Sequence, residues 1–364
     1  MKYIYQNADW HEFRYVGDKL QNLLFEIKKS QGYLLGKMDS LGFEIKNSAN
    51  FKIITENIIK SSEIEGETLN LHEVRSSVAR RLGIDIAGEV QTSRNIEGIV
   101  DMMIDATQNC NTPITHERLI GWHAALFPTG YSGMNKINVG SYRDDKLGPM
   151  QVISGYMGKE KIHYQAPDAN ILQKEMSDLI DYINENKTDD LLVKAGIVHL
   201  WFVILHPFDD GNGRIARALT DMILAKSDNS DYRFYSMSSQ IQQNRKNYYE
   251  ILEKTQKGSL DITDWLIWFL ENLLIAIKSS DNILKEVIQK AEFWQKNSGI
   301  IFNERQKKVL NRFMDDFKGN LTTSKWAKMC NCSQDTATND INDLISKKIL
   351  KRVGDGRNIH YLLK

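Results

Sequence analysis

Apolar residues recur at helical spacing along most of this chain. Residues 9–38 put Leu20, Leu23, Leu24 and Ile27 on one stripe. Similar stripes predict helices near 48–62, 71–82 and 87–108, the last with Ile96, Ile99, Met102 and Met103 facing one way. Between 128 and 168 the pattern breaks. Glycine is frequent there, and the short run Met150-Gln151-Val152-Ile153 lies between turn signals, so a long loop with one hairpin is expected. Helix returns at 169–185 and 191–206. The second stretch is apolar on nearly every face and reads as a buried central helix. Pro207 ends it, because proline disfavours helical geometry in the residue before it. Further helices are expected from Asn212, over 237–256 and 261–279, and as a charged connector at 281–296. Only five prolines occur. The fold class is mainly α.

The last 60 or so residues read differently. Three short helical patterns (NERQKKVLNRFMDDF, TTSKWAKMC, QDTATNDINDLISKK) precede two β-runs around Gly354-Asp355-Gly356. That order is a winged helix-turn-helix. Residues 301–364 hold 13 Lys and Arg against 7 Asp and Glu. In one reading 333–347 is a recognition helix, and Lys347, Lys348, Lys351, Arg352 and Arg357 touch DNA phosphates. Asp335, Asp340 and Asp343 on the same helix argue for a protein partner instead, a second copy of the chain included. Both readings stay open.

Composition narrows the class. The 364 residues are 41% hydrophobic and 26% charged, ordinary for a globular protein, with zero net charge. A surface that binds nucleic acid everywhere is thereby excluded, though not a local basic patch. Cys110, Cys330 and Cys332 form neither a CxxC motif nor a disulfide framework, so a reducing cytoplasm is expected. The start, MKYIYQNADW, has no apolar signal core. The longest apolar run, Ile197 to Leu205, is far too short to span a bilayer.

Candidate chemistry concentrates in residues 206–217, HPFDDGNGRIAR. A loop feeds a helix N-terminus whose unpaired N–H groups and dipole attract anions. Gly211 and Gly213 let phosphate approach the backbone, and Asn212 adds a side-chain amide. Arg214 and Arg217, three apart, share a helical face, and guanidinium forks suit phosphate oxygens. Asp210 is a hard oxygen ligand suited to Mg²⁺. His206 has the proton affinity to deprotonate an attacking hydroxyl. Phe208 reads as the anchor that packs the loop on the core. Base, metal ligand, anion cradle and cationic clamps are the parts of a phosphoryl-transfer site. No Walker A motif or kinase glycine loop occurs.

The stretch resembles the Fic family signature HPF-x-(D/E)-GNGR-x-x-R at every fixed position. GSYR at 140–143, the hairpin region near 150–154, VKAGIVHLWFVILHPF and NYYEIL at 247–252 are similar too. The resemblance covers about 90–280, and the helices before it look like those of some bacterial members. It implies a Fic-type helical bundle with a small β-hairpin flap, and transfer of AMP from ATP to a Ser, Thr or Tyr hydroxyl of a protein. By that similarity His206 is the base and Asp210 holds Mg²⁺. Gly211, Asn212 and Gly213 cradle phosphate, Arg214 grips it and Arg217 reaches the γ-phosphate. Tyr248 and Tyr249 wall the adenine site. Met150, Gln151, Val152, Ile153 and Ser154 form a flap that docks the target by strand addition.

Residues 61–66, SSEIEG, fit the family's inhibitory pattern (S/T)-x-x-x-E-(G/N), with Ser61, Glu65 and Gly66 at its fixed positions. A helix presenting Glu65 to Arg217 puts negative charge where the γ-phosphate belongs. The expected domains are an N-terminal helical domain (1–88), a catalytic core (89–280), a connector (281–300) and the winged helix (301–364). Two alternatives accompany this reading: a DNA-binding regulator whose core only senses nucleotide, and a core that also removes AMP.

Overall fold

The computed structural model describes residues 2–86, 88–146, 148–154, 161–185, 190–230, 232–314, 317 and 319–364, with Arg357 by its backbone alone. They form two compact units: Met1–Asp85 with Glu89–Asp281, and Ile86–Gly88 with Asn282–Lys364. The chain is mainly helical, as its periodicity requires, and no described helix is long and apolar enough to cross a membrane.

The first unit opens with a strap of chain around a 3₁₀ turn (Ile4–Gln6), followed by α1 (Gly17–Asp39), α2 (Phe43–Ile64), α3 (Leu71–Leu82), α4 (Arg94–Gln108) and α5 (His116–Leu126). Helix α5 was not expected. Its eleven residues bury Leu119, Trp122 and Leu126, but two histidines and Gly121 interrupt the stripe. Two hairpins follow: β1 (Tyr131–Ser132) with β2 (Asn135–Lys136), then β3 (Gln151–Ser154) with β4 (Lys161–Gln165). The second is the expected one. It carries a bulge at Val152/Ile153, and its turn lies outside the described residues. Met150 precedes β3 and accepts from the Ala166 N–H.

Helices α6 (Leu172–Asn184), α7 (Leu191–Leu205) and α8 (Asn212–Asp228) complete the centre of the unit. Every residue of α7 from Leu192 onward is buried. Its two polar members are satisfied: Lys194 donates to the Glu185 carbonyl, and His199 bonds Thr220 and Tyr248. The stretch expected as one helix over 237–256 is α9 (Met237–Gln243) and α10 (Arg245–Gln256), broken at Asn244. Conversely, 261–279 and the connector are a single helix, α11 (Thr263–Lys296). At the junction of the two stretches Ser279 and Ser280 return their hydroxyls to the Ala276 carbonyl within the helix.

In the second unit α12 (Glu304–Met314), α13 (Thr323–Cys330), α14 (Gln334–Ser346) and the hairpin β5 (Leu350–Val353) with β6 (His360–Leu363) follow the expected order. They close over Trp326, Leu310, Ile341, Leu344 and Leu350. Leu321 makes an isolated antiparallel bridge to Tyr361 beside the hairpin.

A buried polar network ties α2 to α8. Asn57 donates to Asp221 (2.7 Å), and Asn50 accepts from the Arg233 N–H (2.8 Å). The Arg233 guanidinium bonds Asp228 at 2.6 Å and Asp221 at 3.2 Å. Burial pushes both aspartates above their ordinary value, and Arg233 pulls the other way. Removing that cation leaves two buried carboxylates uncompensated, so Arg233→Ala is expected to destabilise the chain by about 3–5 kcal/mol in urea unfolding. A carboxyl whose pKa is raised by folding opposes stability above that pKa and is relieved by protonation below it. The loss is therefore largest near pH 8 and shrinks towards pH 5. An equal loss at both pH values would contradict the network.

Candidate active site

The site lies between α7 and α8. Helix α7 ends at His206, whose φ of 48° is left-handed and turns the chain out of the helix. Phe208 is fully buried and stacks on His123, ring centroids 4.2 Å apart. His123 is itself held neutral by burial, its pKa pushed down to about 4. The loop is closed by Asn212. Its amide accepts from the Phe208 N–H (2.9 Å) and donates to the Phe208 carbonyl (2.7 Å). The side chain expected to meet an anion is therefore occupied within the loop, which leaves Asn212 its backbone N–H.

Helix α8 starts at Gly211, with φ 80° and the Phe127 and Leu126 side chains against its α-carbon. The first helical hydrogen bond runs from Ile215 N to Gly211 O. The N–H groups of Asn212, Gly213 and Arg214 precede the ladder and point out of the helix end. His206 Nδ1 lies 3.2 Å from the Val203 carbonyl. A carbonyl only accepts, so Nδ1 carries the proton and Nε2 the lone pair. Loss of water around the ring lowers its pKa, which keeps that lone pair available.

Asp210 is half exposed. It accepts from Ser132 and from the Gly211 N–H (2.5 Å), while the neighbouring Asp209 accepts from Asn138 N (2.8 Å). The two arginines are buried. Arg214 lies over the Phe127 ring and donates to Glu67 at 2.6 Å. Arg217 gives Nε to Ser61 Oγ and Nη2 to both the Ser61 carbonyl and Glu65 Oε1, each at 2.8 Å. Its Nη1 is buried without a partner and points at Gly213, where an added β-carbon would sit 3.1 Å from it and 2.0 Å from Glu65 Oε1. The Glu65 carboxylate thus lies in the space that Gly213 leaves open. Arg245 and Tyr249 grip the Ile64 carbonyl (2.7 and 3.2 Å), and Gly66 leaves α2 at φ 83°.

The structure brings His206, Asp210, Gly211, Gly213, Arg214, Arg217, Ser61 and Glu65 together. The two tyrosines, ring centroids 5.2 Å apart, differ in exposure. Tyr248 faces the core and donates to His199, whose other nitrogen is held by Thr220; Tyr249 is at the surface. Of the flap residues, Gln151 and Val152 are half-buried, and Ile153 is exposed. Each flap strand has one free edge among the described residues. Tyr164 on β4 anchors the hairpin by donating to the Ile204 carbonyl (2.7 Å).

Two residues went unassigned in the sequence. Glu67 is beyond the six-residue pattern and looked like a surface charge. Arg143 stood in the quoted GSYR without a role. Its Nε donates to the His206 carbonyl (2.8 Å) and its backbone N–H to Pro207, so it holds the loop in place.

Three family models match: a domain of unknown function (DUF4172) over 3–84, the Fic/DOC family over 113–224, and the C-terminal domain of a DIP2311-like transcriptional regulator over 313–364. A probable protein adenylyltransferase of Aquifex aeolicus is 26% identical over 119 residues, covering 32% of this chain and 35% of the relative. A protein adenylyltransferase of Caenorhabditis briggsae is 29% identical over 166 residues, covering 45% and 30%. The chain spans about a third of the length of these curated relatives. Among solved structures, a Fic family protein from Desulfovibrio desulfuricans superposes with a TM-score of 0.53 at 20% identity, covering 95% of both chains. A Fic domain-containing signaling protein from Bacteroides thetaiotaomicron gives 0.53 at 20%, covering 73% of this chain and 97% of that one. Signature loop, helical fold and relatives agree: this chain contains a Fic/DOC family domain, and its curated relatives are protein adenylyltransferases.

Proposed function

We propose that the chain transfers AMP from ATP to a hydroxyl of a protein, and that α2 holds the activity down. The observation that carries this reading is the Glu65 carboxylate seated between Gly213 and Arg217 at the start of α8.

In the transfer, His206 Nε2 takes the proton of the target hydroxyl. That oxygen bonds the α-phosphorus while the bond to the β-phosphate breaks, and pyrophosphate leaves. The N–H groups at the start of α8, with Arg214 and Arg217, hold the phosphates by charge-assisted hydrogen bonds. Asp210 fits a Mg²⁺ ligand, because its half-exposed carboxylate keeps free lone pairs beside the cradle. The ion, when bound, would neutralise phosphate charge. The flap would align the target segment along a free strand edge, which suits Ser, Thr or Tyr alike.

Glu65 competes with phosphate for Arg217, and Glu67 does the same at Arg214. Both clamps are therefore occupied by acids from one turn of chain. Self-labelling with mass-shifted AMP is the test. Glu65→Gly should raise incorporation at least tenfold, Glu67→Gln a few-fold, and the double variant above either. Equal labelling of wild type and Glu65→Gly rejects the brake. His206→Ala should abolish labelling in the Glu65→Gly background. Burial lowers the His206 pKa from the ordinary imidazole value, so the base stays unprotonated further into acid than a free imidazole. The Glu65→Gly rate should therefore fall with acid along a titration centred below 6.5; one centred above 6.5 would count against His206 as base.

A second reading concerns the C-terminal unit. Of the aspartates that argued against DNA, Asp340 is buried and Asp343 is half-buried and paired, while Asp335 stays exposed. Burial pushes Asp340 up, but Arg305 and Asn303 outweigh it and hold it ionised. Lys347 and Gln306 do the same for Asp343. Lys347 is thereby committed to the protein rather than to phosphate. The exposed side of α14 presents Gln334, Thr338, Asn339 and Asn342 with one acid, Asp335, at its start, and Lys348, Lys351 and Arg352 are exposed beyond it. Neutral amides beside cations suit duplex DNA. In gel shifts, Lys351→Ala/Arg352→Ala should weaken binding on all sequences and lower the salt slope by about two. No shift at low salt would favour a protein partner.

A further inference from the structure

The first unit holds a second group of ligand-type side chains that shares no residue with the signature loop. His11 Nε2, on the N-terminal strap, lies 2.6 Å from Glu175 Oε2 and 3.9 Å from Asp178 Oδ2. The three donor atoms fall within 4.8 Å of one another, and no other His, Cys, Asp or Glu set among the described residues does so. Glu175 and Asp178 are three apart on α6 and share a face. The His11 ring packs beside Trp10 and Trp201, with centroids at 4.5 and 5.3 Å.

Glu175 gives the group its interest. It is 7% exposed, yet its carboxylate has one hydrogen-bond partner, His11. A carboxylate taken out of water normally recruits several donors, so this one is short of positive charge. Asp178 is half-buried and also takes Lys174 at 2.7 Å. That lysine is exposed and can swing into solvent.

We propose that His11, Glu175 and Asp178 bind Zn²⁺, clasping the strap to α6. Zinc takes imidazole nitrogen at about 2.0–2.1 Å and carboxylate oxygen at about 2.0–2.2 Å in a tetrahedron, which sets donor separations near 3.4 Å. The separations of 2.6 and 3.9 Å lie on either side of that value, so side-chain rotations suffice. Water would fill the fourth position. Binding displaces the proton shared by His11 and Glu175, because only the deprotonated nitrogen coordinates. A mixed nitrogen and oxygen set selects zinc over magnesium, which prefers oxygen alone. The strap is also held by Arg14 with Leu260 and Ile262 (2.8 Å each), by Val16 N–H on Thr263 Oγ1 (2.9 Å), and by ring contacts of Tyr3 and Tyr5 with Tyr164 and of Trp10 and Phe13 with Trp201. A metal midway along it would add one tie between those contacts.

The test uses the full chain, stripped with chelator and carrying Cys330→Ser and Cys332→Ser so that those thiols bind no metal. Calorimetric titration with zinc chloride should show one ion per chain at micromolar Kd or tighter, with a rise in Tm that millimolar magnesium does not reproduce. His11→Gln and Glu175→Gln should each weaken binding at least tenfold and abolish the Tm rise. Asp178→Asn, at the least buried of the three and least able to disturb folding, should weaken it several-fold. Absence of zinc uptake, or equal affinity in all three variants, overturns the site and leaves His11–Glu175 a simple ion pair.

Discussion

A guanidinium that has lost its water must be given an anion, and Arg217 is 1% exposed. In this structure Glu65 meets that demand, with Ser61 beside it. On the proposed reading a nucleotide phosphate meets it during turnover. The signature loop, the glycine without a side chain and the end of α2 are all arranged around this single cation. The unpartnered Nη1 shows that Glu65 does not saturate it. The proposed brake is thus an exchange of one oxyanion for another at a fixed positive charge, and no change of fold is needed.

Much of this was legible in the residue order. Continuous apolarity marked α7 as buried, proline marked its end, and a glycine-bracketed asparagine marked the start of α8. The Glu65–Arg217 pair followed from the inhibitory pattern, and the structure places the two groups 2.8 Å apart. Glu67 was not legible. A carboxylate outside any pattern looks like solvent-facing charge until the end of α2 is set against α8. Asn212 was read by its type, but its partners are the backbone groups of Phe208 four positions earlier, and only the closed loop reveals that. Tyr248 and Tyr249 are neighbours on a helix and so point about 100° apart. Their rings still lie 5.2 Å apart, one buried and one exposed, a difference that adjacency in sequence does not announce.

The helix boundaries failed where polar residues satisfy themselves. The apolar stretch to 279 and the charged one from 281 were read as two helices, yet the Ser279 and Ser280 hydroxyls bond back to Ala276 and α11 continues. Asp340 and Asp343 resembled a repulsive face, yet Arg305 and Lys347 neutralise them. In both places the relevant fact is where a side chain turns, and composition does not encode that.

The packing of α2 limits how its grip can be released. The helix buries residues on several faces, and its Asn50 and Asn57 are joined to Arg233 and Asp221. Lifting it away like a lid would strand those amides beside buried carboxylates. Disengagement must then be a small event confined to its last turn: Glu65 swings out, and the peptide at Ile64 slips from Arg245 and Tyr249. Any activating signal, on this view, needs to reach only a handful of atoms at the rim, and the trunk of the helix stays where it is.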